Sequence, residues 1–269
     1  MSAHYRTFFG LTKEPFGQEL DLSEILTTPD LLAVKERFDY ATSLGAMAMV
    51  TGEIGSGKST ALRYASGHLH PSEYRVLSVT ASSGSILEFY RHLLGELGIE
   101  TASTSRAFMI RLIKTEIRQL LQTKKIKAVL IIDEASLMRL EVFSELHTIA
   151  QFDQDSKAWL PIILAGQNNL IDKLMYRASM PLASRVVARS HLEGVSRDDM
   201  EQYLKHHLSI AGVKQNLFNE AAVTAIHQGS GGLFRKANHL ARGALVAAAK
   251  EKSNTVTPEH IRLASTEIF

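Results

Sequence analysis

Gly52-Glu53-Ile54-Gly55-Ser56-Gly57-Lys58-Ser59 fills every fixed position of the pattern G-x-x-x-x-G-K-[ST]. An apolar run, Ala46-Met47-Ala48-Met49-Val50, precedes it, and the helix-forming Thr60-Ala61-Leu62-Arg63-Tyr64 follows. Strand, glycine-rich loop and helix is the order a phosphate cradle needs. The glycines let backbone N–H groups turn inward on phosphate oxygens, and the helix contributes its positive dipole end. Gly52, Glu53, Ile54, Gly55, Ser56, Gly57, Lys58, Ser59 and Thr60 are therefore the candidate nucleotide-binding residues. Lys58 is placed to reach the β- and γ-phosphates, and the Ser59 hydroxyl to bind a metal ion.

A second stretch bears on what happens to the nucleotide. Lys127-Ala128-Val129-Leu130-Ile131-Ile132 is the continuous apolar run of a parallel strand buried on both faces, and it ends in Asp133-Glu134. Carboxylates at the carboxyl end of such a strand face the ligand crevice. Asp133 is the second metal candidate, and Glu134 the residue to polarise an attacking water. The competing reading makes the pair an N-cap for a helix starting near Ser136.

The rest of the chain repeats the alternation. Strands are predicted at 75–80, 160–166 and 186–192, and helices at 31–44, 86–97 and 108–121, with another running through Phe143, Leu146 and Ile149. After Glu193-Gly194 only helical patterns remain, the last opened by Thr257-Pro258 as N-cap and first helical residue. The expected fold is α/β: a parallel-sheet nucleotide-binding domain over residues 1–194, including an N-terminal segment whose aromatic residues pack on its core, and a small C-terminal helical lid over 195–269.

Composition narrows the class. The 269 residues are 45% apolar and contain no Cys, so neither a disulfide nor a cysteine metal site is available. No uninterrupted apolar stretch reaches transmembrane length, and Met1-Ser2-Ala3-His4-Tyr5-Arg6 lacks a signal-peptide core. A cytoplasmic protein without a membrane partner is the expectation. The net charge is only +2, but from Arg106 to Lys127 seven cations meet one acid, Glu116, which marks a candidate anion-binding surface. The eleven histidines form no convincing metal cluster.

Taken together, these motifs resemble the AAA+ ATPases, and more narrowly the ExeA-like group named after general secretion pathway protein A, which overlaps the TniB/TnsC-type transposition ATPases. Phe9-Gly10-Leu11 with Pro15-Phe16, Gly166-Gln167 and Ser230-Gly231-Gly232-Leu233-Phe234-Arg235-Lys236-Ala237-Asn238 carry the narrower resemblance. It implies ATP and Mg2+ as cofactors. It implies Gln167 as the polar sensor beside the γ-phosphate, with Asn168 as the competitor because Asn168-Asn169 departs from the group's usual Pro-Glu. It implies Arg235 as a second sensor and Arg185 as an arginine finger acting on a neighbouring copy, with Arg177 and Arg189 as alternatives. A finger in trans implies a homo-oligomer, as a head-to-tail ring or helical filament.

Two functional readings follow. Secretion-type members continue into a membrane helix and a wall-binding domain, whereas this chain stops at Phe269. That favours a transposition regulator that coats double-stranded DNA in its ATP state, engages a transposase or related recombination protein, and is dismantled by slow, partner-stimulated hydrolysis. Ser82, Ser83, Arg91, Arg106 and Arg111, in the segment after the second strand, are the candidate phosphate contacts. The alternative is a secretion or signalling ATPase without DNA binding. A third reading is a nucleotide-gated scaffold with little turnover, against which the intact Glu134 argues.

Overall fold

The computed structural model describes residues 2–266. Met1 and residues 267–269, at the outer ends of the two expected domains, lie outside the described residues. In chain order the elements are α1 Ser2–Phe9, α2 Pro29–Leu44, β1 Met47–Gly52, α3 Lys58–Gly67, β2 Tyr74–Thr80, α4 Ile86–Glu96, α5 Arg106–Gln122, β3 Lys127–Asp133, α6 Leu140–Ala150 and β4 Ile162–Gly166. Then follow α7 Asn169–Met175, α8 Met180–Ala183, β5 Val186–Leu192, α9 Arg197–Ile210, α10 Glu220–Ser230, α11 Phe234–Lys250 and α12 Pro258–Ser265. Among the described residues no helix is long and apolar enough to cross a membrane.

Two compact units emerge. The sheet unit comprises residues 29–52 and 58–192. Its five strands are all parallel, in the order β2-β3-β4-β1-β5. The inner strands β1 and β4 are buried at every position, and β3 from Ala128 to Ile132, because helices cover both faces of the sheet. The edge strand β5 alternates instead: Ala188, Ser190 and Leu192 are buried while Val187, Arg189 and His191 are exposed. One core cluster joins the strands to α4, α5 and α6 through Leu77, Leu93, Ile113, Leu130, Phe143 and Leu164. Fully burying each such side chain stabilises the fold by roughly 1.5–3 kcal/mol.

The helical unit comprises residues 1–28, 53–57 and 193–269. Residues 1–28, expected with the nucleotide domain, group here because Tyr5, Leu11 and Phe16 are buried among Leu204, Leu208, Phe218 and Ala241. Polar contacts fix the same docking. Thr12 donates its backbone N–H to Ala211 O at 2.8 Å, and the Arg242 guanidinium donates to Phe16 O at 2.9 Å. Residues 53–57, the tip of the phosphate loop, join this unit through α11.

Candidate functional site

The sheet brings the motif carboxylates and hydroxyls together at one end. Parallel pairing sets Thr51 opposite Gly166 and Thr80 opposite Asp133, so β1, β3 and β4 finish side by side. Because β4 lies between β1 and β3, Gly166-Gln167 emerges between Gly52 and Asp133-Glu134. Ligand crevices in open parallel sheets form at such carboxyl ends.

Lys58 begins α3 and is only 6% exposed; its ammonium donates to Gly52 O at 3.0 Å. A buried cation needs such an acceptor, and phosphate oxygens are a stronger one. The next residue, Ser59, donates its hydroxyl to Asp133 Oδ2 at 2.6 Å, and Asp133 Oδ1 accepts the Glu134 N–H at 2.8 Å. The two sequence motifs thus meet directly. A hydroxyl beside a carboxylate is a hard oxygen set, suited to a small divalent cation that keeps several waters and phosphate oxygens as its other ligands.

Glu134 adopts φ 53°, ψ 30° and opens a 3-10 turn over Ala135–Leu137 without capping it through its side chain. The N-cap reading of Asp133-Glu134 therefore fails. Left-handed backbone costs a non-glycine residue roughly 1–2 kcal/mol, and such strain concentrates at functional positions. Gln167 is half-buried and donates its N–H to Ser136 Oγ at 3.2 Å, while Asn168 is exposed and leaves α7 uncapped. Both side chains sit at the right strand end, so the choice between them stays open.

In the helical unit, the loop tip and α11 are in close contact. Gly55 has φ +86°, and a Cβ built there would stand 2.7 Å from Arg235 Cβ. The Arg235 N–H lies 3.3 Å from Gly55 O, so the candidate second sensor begins its helix against the phosphate loop itself. Phe234 packs at a tilt on Tyr203 with ring centroids 4.5 Å apart, and Tyr203 packs on His207 at 4.3 Å. Burial pushes the His207 imidazole down to about 4.

The three finger candidates do not converge on that strand end. Arg185 precedes β5, and its carbonyl accepts the N–H of Met47, the first residue of β1, at 3.2 Å. It therefore lies at the amino ends of the strands, a full strand length from Gly52. Its guanidinium pairs with Asp155. Asp155 belongs to a turn in which Asp153, Gln154 and Asp155 have φ 47°, 56° and 68° in succession. Phe152, fully buried against Trp159 at 5.4 Å, anchors that turn. Arg189 is exposed halfway along β5, and Arg177 is exposed between α7 and α8.

The candidate DNA contacts sit in mixed surroundings. Ser82 accepts the Gly84 N–H at 3.1 Å and sits 3.4 Å from Glu88 Oε1, so its hydroxyl serves a turn beside an acid. The Ser83 carbonyl is held by Arg139 Nε at 2.8 Å. Neighbouring hydroxyls on Ser85 and Ser105 cap α4 and α5. Arg91, Arg106 and Arg111 are exposed, but residues 82–111 also carry Glu88, Glu96 and Glu100, leaving the segment neutral. The basic run from Arg106 to Lys127 is open only in part, with Arg106, Arg111, Lys125 and Lys127 exposed. The Lys114 amine turns inward to Gln151 O at 2.8 Å, and burial holds its pKa below the usual lysine range. Arg118 pairs with Asp153 at 3.5 Å and Lys124 with Glu116 at 3.9 Å.

Sequence reasoning missed Ser136, Asp155 and His191. The His191 ring nitrogen Nδ1 lies 3.0 Å from Thr51 Oγ1, beside the last residue of β1. None of these carries a local pattern; each is defined by a partner 30 or more positions away.

Comparison with known proteins agrees with this geometry. The family described as AAA domain matches residues 42–174. General secretion pathway protein A of Aeromonas hydrophila is 28% identical over 273 residues, which takes in 98% of this chain and 48% of that protein. The chain thus spans about half the length of that curated relative. Among solved structures, Cdc6p from Pyrobaculum aerophilum superposes with TM-score 0.75 at 15% identity, covering 94% of this chain and 70% of the other. The ORC1 protein of Aeropyrum pernix, in complex with DNA, gives 0.65 at 14% over 91% and 67%. The RuvB Holliday junction branch migration motor of Thermotoga maritima gives 0.53 at 18% over 87% and 68%. At these identities the structures speak for the fold alone. The phosphate loop, the strand ending in two carboxylates and the AAA-domain match over residues 42–174 make this chain similar to the ExeA-like AAA+ ATPases.

Proposed function

We propose that this chain binds ATP with Mg2+, assembles head-to-tail with copies of itself on double-stranded DNA, and regulates transposition or target selection with a transposase partner. The observation that carries the nucleotide half is the Ser59–Asp133 hydrogen bond at 2.6 Å, beside a Glu134 that caps nothing. Bound Mg·ATP supplies a γ-phosphorus whose oxygens are partly neutralised. The chain's residues do the rest. Backbone amides of residues 55–59 donate to phosphate oxygens. Lys58 exchanges Gly52 O for a β- or γ-oxygen, and Ser59 and Asp133 hold the cation from the protein side. Glu134 accepts a proton from the attacking water, which Gln167 or Asn168 orients. Arg235, on the helix that begins against Gly55, reads the γ-phosphate. Arg185 of a neighbouring copy offsets the charge that builds up in the transition state.

Oligomerisation is supported by exposed apolar residues on α7 and α8. Ile171, Met175, Tyr176 and Met180 are 38–64% exposed, and Met175-Tyr176 flank Arg177. Apolar clusters beside charged groups mark interaction surfaces. Likeness to an ORC1 protein solved with DNA and to a branch migration motor favours DNA as the substrate surface. Exposed Arg91, Arg106 and Arg111 are the leading contacts proposed, with Ser83, whose carbonyl alone is held by Arg139, beside them; the Ser82 hydroxyl serves a turn. A second reading, a secretion ATPase without DNA binding, is favoured by the identity to General secretion pathway protein A and by the neutral 82–111 segment.

Two measurements test the proposal. Lys58→Ala should lose nucleotide binding, whereas Glu134→Gln should keep it and lose most turnover; parent-level hydrolysis by Glu134→Gln would overturn the role assignment. Anisotropy titration of a DNA duplex with protein and a slow ATP analogue should show binding that ADP abolishes. Absence of binding at low salt would hand first place to the secretion reading.

A further inference from the structure

We propose that Ser136 is a positioning residue of the hydrolytic step. Its hydroxyl fixes the turn that carries Glu134 against the strand end that carries Gln167. The inference rests on the reading of Glu134 as the base.

Ser136 is 3% exposed and lies two residues beyond Glu134. Glu134 is in left-handed backbone, and only Leu137 N–H to Glu134 O at 2.8 Å and Met138 N–H to Ala135 O at 3.1 Å close the turn internally. Core packing of Ala135 and Met138 and polar ties from outside add to these. One external tie is Lys173 Nζ, which donates to Met138 O at 2.7 Å from α7. Another is Ser136 Oγ, which accepts the Gln167 N–H at 3.2 Å.

Gly166 makes that second tie possible. A Cβ there would stand 2.8 Å from Ser136 N and 3.1 Å from its Oγ, so any larger residue would push the turn away from β4. The smallest residue of β4 thus faces the smallest hydroxyl of the turn. The result is one rigid piece: Asp133 takes the Glu134 N–H, Ser136 takes the Gln167 N–H, and the base and the candidate sensor keep a fixed separation. A base off its line by a fraction of an ångström loses rate without losing nucleotide.

Removing the acceptor leaves the Gln167 N–H without its partner. Ser136→Ala should therefore lower kcat about tenfold, as expected for one lost positioning hydrogen bond. The Kd for a fluorescent ATP analogue should stay within about twofold, because Lys58 and the loop amides are untouched. Ser136→Thr, which keeps the hydroxyl, should restore most of the turnover. Combined with Glu134→Gln, Ser136→Ala should add no further loss, since a positioning residue has nothing left to position.

If Ser136→Ala does not fold, Gly166→Ala in the otherwise unaltered chain displaces the same contact and should give the same split. An unchanged kcat in the folded variant, or Kd and kcat worsening in step, would overturn the proposal. Failure of the underlying reading looks different: Glu134→Gln would then hydrolyse ATP at the parent rate. A dead Glu134→Gln beside a fully active Ser136→Ala would refute only the role of Ser136.

Discussion

Gly55→Ala tests whether the phosphate loop and the start of α11 are matched as the structure has them. The substitution meets two costs. Gly55 sits at φ +86°, where a side chain costs roughly 1–2 kcal/mol. The new Cβ would also stand 2.7 Å from Arg235 Cβ, so either the loop or the helix start must move. Movement forfeits the Arg235 N–H to Gly55 O hydrogen bond at 3.3 Å. A hydrogen bond of that kind contributes about 1 kcal/mol net. Together the costs reach about 2–3 kcal/mol, equivalent to a roughly 30- to 150-fold loss in nucleotide affinity if the loop must regain its shape on binding. Titration of a fluorescent ATP analogue reads the affinity, and thermal unfolding without nucleotide reads the share that falls on stability. The melting point should drop by no more than about 10 °C for a chain of this size. Parent-like affinity with a parent-like melting point would refute the reasoning, because neither the positive φ nor the close approach would then constrain the loop.

Other outcomes follow from the same geometry. Arg185→Ala should bind nucleotide and fail to hydrolyse it, and mixing it with Glu134→Gln should restore activity, because a mixed interface pairs an intact Glu134 with an intact Arg185; no rescue in confirmed oligomers would point to Arg177 or Arg189. Stability should depend on pH through His207, whose folded value is depressed to about 4 by burial. Its contribution is complete above the ordinary value near 6.5 and lost as pH falls toward 4, because the unfolded chain takes up the proton first, with a total effect on the order of 3 kcal/mol. His207→Phe, which keeps the contacts with Phe16 and Tyr203, should flatten the unfolding midpoint over that range; an unchanged pH profile would count against it. Arg106→Ala should make the log–log salt dependence of DNA binding shallower by about one unit while leaving ATP affinity intact; an unaltered slope would remove Arg106 from the contact set.

Much of the sheet unit was legible because its signals are local. The inner strands are covered on both faces, so they read as unbroken apolar runs, and the phosphate loop and the Asp133-Glu134 pair are contiguous patterns. The N-terminal segment was harder. Its aromatic residues announced that they pack, but nothing in Tyr5, Leu11 or Phe16 says that their partners are Leu204 and Ala241, some 200 positions later. Charge misled for a similar reason. Lys114 and Arg118 look like a solvated basic face until the 151–153 turn arrives from another part of the chain and takes both. The hydroxyls of Ser82, Ser85 and Ser105 suit phosphate in composition and serve turns and caps in fact, since a short hydroxyl answers the nearest unpaired N–H.

Arg185 has consequences for how a neighbouring copy would be engaged. Its carbonyl is part of the β1–β5 ladder, so its backbone cannot travel without unzipping the sheet at Met47. Only the side chain is free to swing, and its present partner, Asp155, stands on a turn of three left-handed residues anchored by Phe152. An arginine mounted this way is not delivered by loop ordering. If Arg185 is the finger proposed above, a second subunit would have to bring its nucleotide to the foot of this sheet and outcompete the Asp155 carboxylate. On that proposal, recognition between copies would be an exchange of anions on a stationary guanidinium, with docking geometry rather than segment mobility as the gate. The net gain would be the difference between phosphate and Asp155, so the contact would be easy to reverse once the γ-phosphate has gone.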